Sequence, residues 1–79
     1  MKLELYKFDG CPFCGRVIRC IEESGRKDIS FFDIRQDPAA RQRLIEIGGK
    51  EQVPCLFIDG EPLYESADII QWLKRHPQD

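Results

Sequence analysis

The Cys11-Pro12-Phe13-Cys14 motif constrains the fold of this chain more than any other feature, because it lies where a strand pattern gives way to a helix pattern. Residues 2–8 favour a strand, and Asp9-Gly10 is a turn signal that ends it. Pro12 has no amide hydrogen and a fixed φ, so it suits the first position of a helix and leaves Cys11 as the N-cap. The motif is therefore predicted at the junction between a strand and the N-terminus of a helix.

The two motif cysteines are expected to differ in reactivity. As N-cap, Cys11 faces unpaired backbone N–H groups and the positive end of the helix dipole, which together favour the thiolate over the thiol. Cys14 shares a helix face with Val17, Ile18 and Ile21, and therefore points toward the core. This arrangement predicts that Cys11 attacks a disulfide and that Cys14 resolves the resulting intermediate.

A zinc site or a structural disulfide is the alternative use of such a cysteine pair. A zinc knuckle needs a second pair of ligands, but Cys20, Cys55 and His76 form neither a second Cys-x-x-Cys nor a histidine pair. A Cys-x-x-Cys beside a βαβ pattern instead indicates redox chemistry. No metal is therefore expected in this chain.

Composition predicts one small domain that spans residues 1–79. The chain is 42% apolar and 33% charged, which is typical of a soluble globular protein, and its length leaves no room for a second domain. A net charge of −2 argues against nucleic acid as a partner. The first residues contain neither a signal peptide nor a membrane-spanning run, so a cytoplasmic protein without a membrane partner is expected. In that reducing compartment a cysteine pair is more often catalytic than structural. The chain is also predicted to be a monomer.

The hydrophobic pattern predicts an α/β fold with the element order β-α-β-α-β-β-α. A first helix is expected over residues 12–24, with Gly25 as the residue that ends it. Residues 29–34 follow as a strand, and a right-handed crossover makes this strand parallel to the first. A second helix begins at Asp37-Pro38 and ends at Gly48-Gly49.

The second half of the chain predicts a hairpin and a last helix. Residues 53–58 favour a strand, although Pro54 removes one of its hydrogen-bond donors. Asp59-Gly60 is a tight-turn signal, after which residues 61–64 return antiparallel. Ser66 is predicted as the N-cap of the last helix.

The remaining large or sulfur-containing side chains are assigned mainly to the core. Predicted core residues are Ala40, Leu44, Ile45 and Ile47 on the second helix, Phe31 and Phe32 on the second strand, and Ile69, Ile70, Trp72 and Leu73 on the last helix. Cys20 and Cys55 are expected to behave as small hydrophobes, with a regulatory thiol as the alternative for Cys55. His76 is expected in solvent.

With these elements placed, the chain resembles a glutaredoxin, a small member of the thioredoxin-fold family. Cys11-Pro12-Phe13-Cys14 is similar to the glutaredoxin Cys-Pro-Tyr-Cys, and Gln52-Val53-Pro54 is similar to the Thr-Val-Pro before its third strand. The resemblance implies a four-stranded mixed sheet flanked by three helices. It also implies that Pro54 is cis and faces the cysteines, which leaves the Val53 backbone free to pair with the peptide backbone of glutathione.

A second resemblance concerns the segment before the last helix. Val-Pro-x-Leu followed by Leu-x-Glu-Ser is similar to the N-terminal domain of glutathione transferases, where Glu and Ser hold the γ-glutamyl end of glutathione. The resemblance implies that role for Glu65 and Ser66. Many glutaredoxins carry a lysine three residues before the first cysteine, where this chain has Phe8, and Lys7 is the candidate substitute. Phe13 replaces the usual tyrosine and keeps a flat apolar wall.

The function implied by these resemblances is thiol-disulfide oxidoreduction. The substrates would be protein disulfides and protein-glutathione mixed disulfides, and glutathione or another small thiol would be the reducing co-substrate, with no bound cofactor. One alternative is an iron-sulfur carrier in which Cys11 ligates a cluster shared by two chains, although Pro12 argues against it, because in the family this proline goes with redox chemistry. The other is a transferase-like domain that uses Glu65 and Ser66 to bind glutathione for conjugation, but the helical second domain of that family is not expected in a chain predicted to be one domain.

Overall fold

The structure is a computed structural model that describes residues 1–78, so Asp79, the last residue of the predicted domain, lies outside the description. The helices and strands of these residues follow the predicted order. They are β1 (Leu3–Lys7), α1 (Pro12–Ser24), β2 (Ile29–Asp33), α2 (Pro38–Gly48), β3 (Cys55–Ile58), β4 (Glu61–Tyr64) and α3 (Ser66–Arg75). The predicted element order is thus confirmed.

The strands form one mixed sheet in the order β2-β1-β3-β4. The crossover through α1 makes β1 and β2 parallel, with Leu3 opposite Ile29. Strand β3 runs antiparallel to both β1 and β4. Because β1 is central, its C-terminal end delivers the loop that carries the motif to the middle of one sheet edge.

The two faces of the sheet bury separate clusters of apolar side chains. Leu3 and Leu5 of β1 point to the face that α1 and α3 cover, where they meet Val17 and Ile69. Tyr6 alternates to the opposite face, which α2 covers. One cluster comprises Leu3, Leu5, Val17, Ile21, Ile29, Leu56, Ile69 and Leu73, and the other Tyr6, Ile34, Ala40, Leu44, Cys55 and Phe57.

The prediction that Phe31 and Phe32 both lie in the core is wrong for Phe31. Phe31 is 45% exposed, because β2 is an edge strand and lacks a neighbour on one side. Phe32 is half-buried and stacks on Tyr6 with 5.3 Å between ring centroids. An alternating pattern identifies a strand but does not tell an edge strand from a central one.

The predicted apolar stripe of α2 is also partly wrong. Ala40 and Leu44 are buried, but Ile45 and Ile47 are 38% and 51% exposed. The covered face instead follows the spacing of four residues from Ala40 through Leu44 to Gly48, where the ring of Tyr64 packs. Two isoleucines therefore remain at the surface of this helix.

Two C-terminal side chains pack on each other at the edge of the core. Trp72, which was predicted in the core, is half-buried at the margin of the cluster under α3. His76 is exposed as predicted, and its ring stacks on Trp72 with a centroid separation of 4.2 Å.

Arg26 is the buried charged residue among those described. Its guanidinium donates two hydrogen bonds of 2.8 Å to the carboxylate of Asp28 and one of 3.2 Å to the carbonyl of Leu73. Through these bonds Arg26 joins the loop after α1 to the start of β2 and to the last turn of α3. The sequence pattern contained no signal for this ion pair.

Candidate functional site

The motif occupies the junction that the sequence predicts. Cys11 is the N-cap of α1, with extended backbone angles (φ −80°, ψ 118°), and Pro12 is the first helical residue. The Cys11 carbonyl accepts the first helical hydrogen bond, 3.0 Å from the Gly15 nitrogen, and its own N–H donates to the Phe8 carbonyl at 3.4 Å. The half-buried Cys11 side chain therefore lies at the N-terminus of the helix, where the backbone amides lack helical partners.

Cys14 lies in a different environment one turn further along α1. It is buried, and this burial raises the pKa of its thiol to about 12, with a hydrogen bond to Cys11 acting in the same direction. The backbone of Phe8 and the Lys7 ammonium act in the opposite direction. Cys14 is thus a protonated, inaccessible thiol at neutral pH, whereas Cys11 has access to solvent.

The segment before β3 differs from the predicted strand over residues 53–58. Strand β3 begins only at Cys55, and Val53-Pro54 forms a bend. The proline has no N–H for the ladder, so pairing starts after it. The Val53-Pro54 peptide bond is cis, as the resemblance to glutaredoxins implies.

Helix α3 is capped one residue earlier than predicted. The N-cap is Glu65, not Ser66 as predicted, and Ser66 is the first helical residue. Glu65 adopts φ 72° and ψ 120°, an unusual conformation for a residue other than glycine, so the chain turns one residue earlier than the capping pattern indicated. The Gln52 amide donates to the Glu65 carboxylate at 3.3 Å and connects this turn to the loop before β3.

These three segments enclose a groove of about 330 Å³ beside the motif. Its walls are Phe13, Gln52, Val53, Pro54, Glu65, Ser66 and Ala67. The structure therefore brings together five of the six predicted substrate-binding residues. Sequence reasoning missed Gln52 and Ala67 as members of the groove, although Gln52 belongs to the Gln-Val-Pro stretch that the resemblance singled out.

Lys7 is the predicted binding residue that the structure places elsewhere. Its ammonium lies 3.0 Å from the Asp9 carboxylate and 3.8 Å from that of Asp33, and its side chain is only 17% exposed. It borders a different surface depression, on the α1 face of the sheet with Ile18.

Tyr64 holds the loop that forms one wall of the groove, a role that the sequence did not indicate. Its hydroxyl donates to the Lys50 carbonyl at 3.1 Å, and its ring packs against Gly48 at the end of α2. Burial raises the pKa of Tyr64 to about 12, and burial likewise raises that of the neighbouring Cys55 to about 11. Cys55 is fully buried, as predicted.

We expect Gly48→Ala to destabilise the protein, because a Cβ at this position would overlap with the Tyr64 hydroxyl. Overpacking costs about 1–3 kcal/mol, which exceeds the gain of at most about 1 kcal/mol from replacing a helical glycine by alanine. Tyr64→Phe removes the clashing oxygen, so the double variant should lose less stability than the two single losses added together. Urea unfolding of the wild type, the two single variants and the double variant measures this coupling. Strictly additive losses of unfolding free energy would contradict the packing described.

Neither a metal cluster nor a membrane helix is present in residues 1–78. No three His, Cys, Asp or Glu side chains of this part of the chain converge as metal ligands would. None of its helices has the length and apolar character needed to cross a bilayer.

Comparison with known proteins gives consistent matches in sequence and in structure. The family model described as Glutaredoxin matches residues 3–63. A probable glutaredoxin of Synechocystis sp. is 32% identical over 71 residues, which cover 86% of this chain and 77% of the relative. Glutaredoxin 1 of Escherichia coli is 28% identical over 82 aligned residues, with 96% of each chain covered.

The solved structures that match share the thioredoxin/glutaredoxin fold. The thioredoxin-like protein BC3987 superposes with a TM-score of 0.78 at 30% identity, over 91% of this chain and 99% of that one. The buckwheat glutaredoxin-glutathione complex gives 0.71 at 22% identity, over 94% and 68%. Glutathione transferase Omega 3C from Trametes versicolor gives 0.80 at 25% identity, over 95% of this chain and 33% of that one.

Proposed function

Because this chain belongs to the glutaredoxin family, whose general function is glutathione-dependent thiol oxidoreduction, we propose that it reduces protein-glutathione mixed disulfides and protein disulfides. The observation that carries the proposal is the inequality of the motif cysteines. Cys11 is accessible at a helix N-terminus, and Cys14 is buried one turn away with a raised pKa. In this proposal Cys11 attacks the substrate disulfide, and Cys14 resolves the intermediate where a second thiol is needed.

With a protein-glutathione mixed disulfide, the proposed cycle uses Cys11 alone. The Cys11 thiolate attacks the glutathione sulfur, forms a Cys11-glutathione disulfide and expels the protein thiolate, which takes up a proton. The thiolate of a second glutathione then attacks the glutathione sulfur of that disulfide. Oxidised glutathione leaves, and Cys11 returns as a thiolate. Two glutathione units are thereby joined, and one protein thiol is restored.

With a protein disulfide, the proposed cycle also needs Cys14. Cys11 attacks one sulfur of the substrate, and the other sulfur leaves as a thiolate. Cys14 then loses its proton and attacks the Cys11 sulfur, which releases the second substrate thiolate and leaves a Cys11-Cys14 disulfide. Two glutathione molecules reduce this disulfide and become oxidised glutathione. Docking of the substrate thiolate near the motif provides an acceptor for the proton of Cys14.

In this proposal glutathione binds in the groove. The Val53 backbone pairs with the peptide backbone of the ligand, and Phe13 provides an apolar wall next to the reacting sulfur. Glu65 accepts from the γ-glutamyl ammonium, while Ser66 and the free amides at the start of α3 bind its carboxylate. Support comes from the shared groove of about 330 Å³ that these residues line.

Replacing both Glu65 and Ser66 by alanine is expected to raise the KM for glutathione with little change in the rate at which Cys11 is alkylated. Hydrogen bonds to charged groups contribute about 1.5–3 kcal/mol each, so the rise should be roughly 10-fold or more. Steady-state turnover at varied glutathione measures it. Asp68→Ala, in the same first helical turn but outside the groove, is the control and should leave the KM unchanged. A double variant with unaltered KM would show that Glu65 and Ser66 only form the start of α3 and do not bind glutathione.

The proposed function is tested by an assay that links glutathione, glutathione reductase and NADPH to reduction of a small glutathione mixed disulfide. Turnover supports the proposal, and its absence for the wild-type protein contradicts it. A visible absorption band on the purified protein would instead favour the iron-sulfur alternative. The proposal extends to a cytoplasmic monomer in which residues 1–79 act as one domain, and size-exclusion chromatography checks the monomer.

A further inference from the structure

Two arginine side chains lie over aromatic rings whose residues precede and follow Cys11 in the sequence. The guanidinium carbon of Arg35 is 3.8 Å from the centre of the Phe8 ring, and that of Arg16 is 5.8 Å from the centre of the Phe13 ring. These are distances at which a cation is attracted to the face of an aromatic ring. We call Phe8, Phe13, Arg16 and Arg35 the arginine rim.

The arginine rim is next to Cys11 in space. The Cys11 N–H donates to the Phe8 carbonyl, and Phe13 belongs to the motif itself. Phe13 is 56% exposed, which is high for an aromatic side chain. Both arginines are also exposed. The arginine rim is therefore placed to contact a polypeptide that brings a sulfur to Cys11.

The charges of the arginine rim are not neutralised within the described part of the chain. Lys7, Arg26 and Arg41 each lie within salt-bridge distance of a carboxylate. Within residues 1–78, neither Arg16 nor Arg35 has such a partner. Two uncompensated cations beside the reactive sulfur contrast with the net charge of −2 of the whole chain.

The neighbouring carboxylates are already engaged. Asp33, two residues before Arg35, accepts hydrogen bonds from the Arg35 and Gln36 N–H groups at 2.8 and 3.2 Å, and Asp9 accepts one from the Lys7 ammonium at 3.0 Å. The cation–π contacts restrict the two guanidinium groups, so less side-chain freedom is lost when they meet an anion. Aromatic residues and arginine are also the residue types enriched in protein interfaces.

We propose that the arginine rim docks the polypeptide that carries the oxidised cysteine, and that it favours segments with Asp or Glu within a few residues of that cysteine. This inference rests on the proposed function and adds the substrate class to it. Complementary charge mainly raises the rate of productive encounter, and the effect weakens as salt screens the charges. Phe13 also lines the groove proposed for glutathione, but neither Arg16 nor Arg35 does, so the two guanidinium groups are left for the protein part of the substrate.

The test uses two glutathionylated peptides that are identical except for Asp or Lys residues on both sides of the modified cysteine. We expect the wild-type protein to show a kcat/KM about 10-fold higher for the acidic peptide at low salt, within the range known for electrostatic steering, and a smaller ratio at high salt. Arg16→Gln combined with Arg35→Gln should bring the ratio close to one. Arg75→Gln, an exposed arginine at the far end of α3, is the matched control and should preserve the ratio.

Charge reversal separates recognition from a structural effect. Arg16→Glu combined with Arg35→Glu should invert the preference toward the basic peptide, which a merely structural role would not do. Equal kcat/KM for the two peptides, or a ratio that the rim variants leave unchanged, would overturn the inference while turnover of the small mixed disulfide still supports the proposed function. Failure of the wild-type protein to turn over any of these substrates would overturn both.

Discussion

Cys11→Ser is expected to abolish turnover of every disulfide substrate, whereas Cys14→Ser should retain activity on glutathione mixed disulfides and lose much of its activity on protein disulfides. Cys11 is the accessible sulfur at the helix N-terminus, so its loss removes the nucleophile and should lower kcat/KM on the order of 10³-fold or more. In the proposed cycle Cys14 is needed only for protein disulfides, because a second glutathione resolves the intermediate that forms from a glutathione mixed disulfide.

The first measurement is the turnover of each variant with a glutathione mixed disulfide and with a protein disulfide. The second is the pH dependence of cysteine labelling by iodoacetamide. Since burial raises the pKa of Cys14 to about 12, Cys14 should stay unlabelled in the folded protein at neutral pH. Cys20→Ser, a half-buried cysteine outside the motif, is the control and should behave as wild type. If Cys14→Ser were as inactive as Cys11→Ser, or if Cys14 were labelled first, the assigned roles would be wrong.

Asp28→Asn is expected to destabilise the fold strongly, because it leaves the buried Arg26 guanidinium without its counter-charge. The Arg26 side chain is 4% exposed and that of Asp28 is 28% exposed. Breaking a fully buried ion pair costs about 3–5 kcal/mol, so we expect about 2–3 kcal/mol for this partly exposed one. Urea unfolding at pH 7 measures the loss, and Glu23→Gln, at an exposed position of α1, is the control with an expected change close to zero.

The effect of Asp28→Asn should also depend on pH. The hydrogen bond from Arg26 lowers the pKa of Asp28 below its ordinary value of 3.8. The stabilisation is therefore fully present above that ordinary value and is lost as the pH falls through the lower pKa of the folded state. The difference in unfolding free energy between wild type and Asp28→Asn should shrink in acid. If this difference in unfolding free energy stayed constant from pH 7 to strongly acidic conditions, the ion pair would not be its cause.

The fold could be predicted in outline because its signals are local. Pro12 and Pro38 at helix starts, Gly25 and Gly49 at helix ends and Asp59-Gly60 in the hairpin act through the conformations of adjacent residues. The strand and helix periods of the hydrophobic pattern predicted the rest of the element order. The predictions were wrong where burial depends on a neighbour distant in sequence, as for the exposed Phe31 on an edge strand.

Part of the candidate site could be predicted in the same way. The position of Cys11 as N-cap and the burial of Cys14 follow from a proline and from helical spacing within one turn. That Val53 and Glu65 belong to the candidate site could be predicted only from the resemblance to known families. Gln52, which links the two walls of the groove, was missed as a binding element because its partner lies 13 residues away.

The sequence by itself determined the order of the elements, the strand-to-helix junction at the motif and the different positions of its two sulfurs. Only the tertiary structure decided that Phe13, Pro54 and Ser66 line one groove, that Lys7 lies elsewhere and that Arg26 is buried against Asp28. The physical reason is the range of the forces involved. Backbone preferences and caps act within a few residues, whereas the antiparallel pairing of β1 with β3 brings together segments about fifty residues apart, and the burial that follows depends on every side chain packed between them.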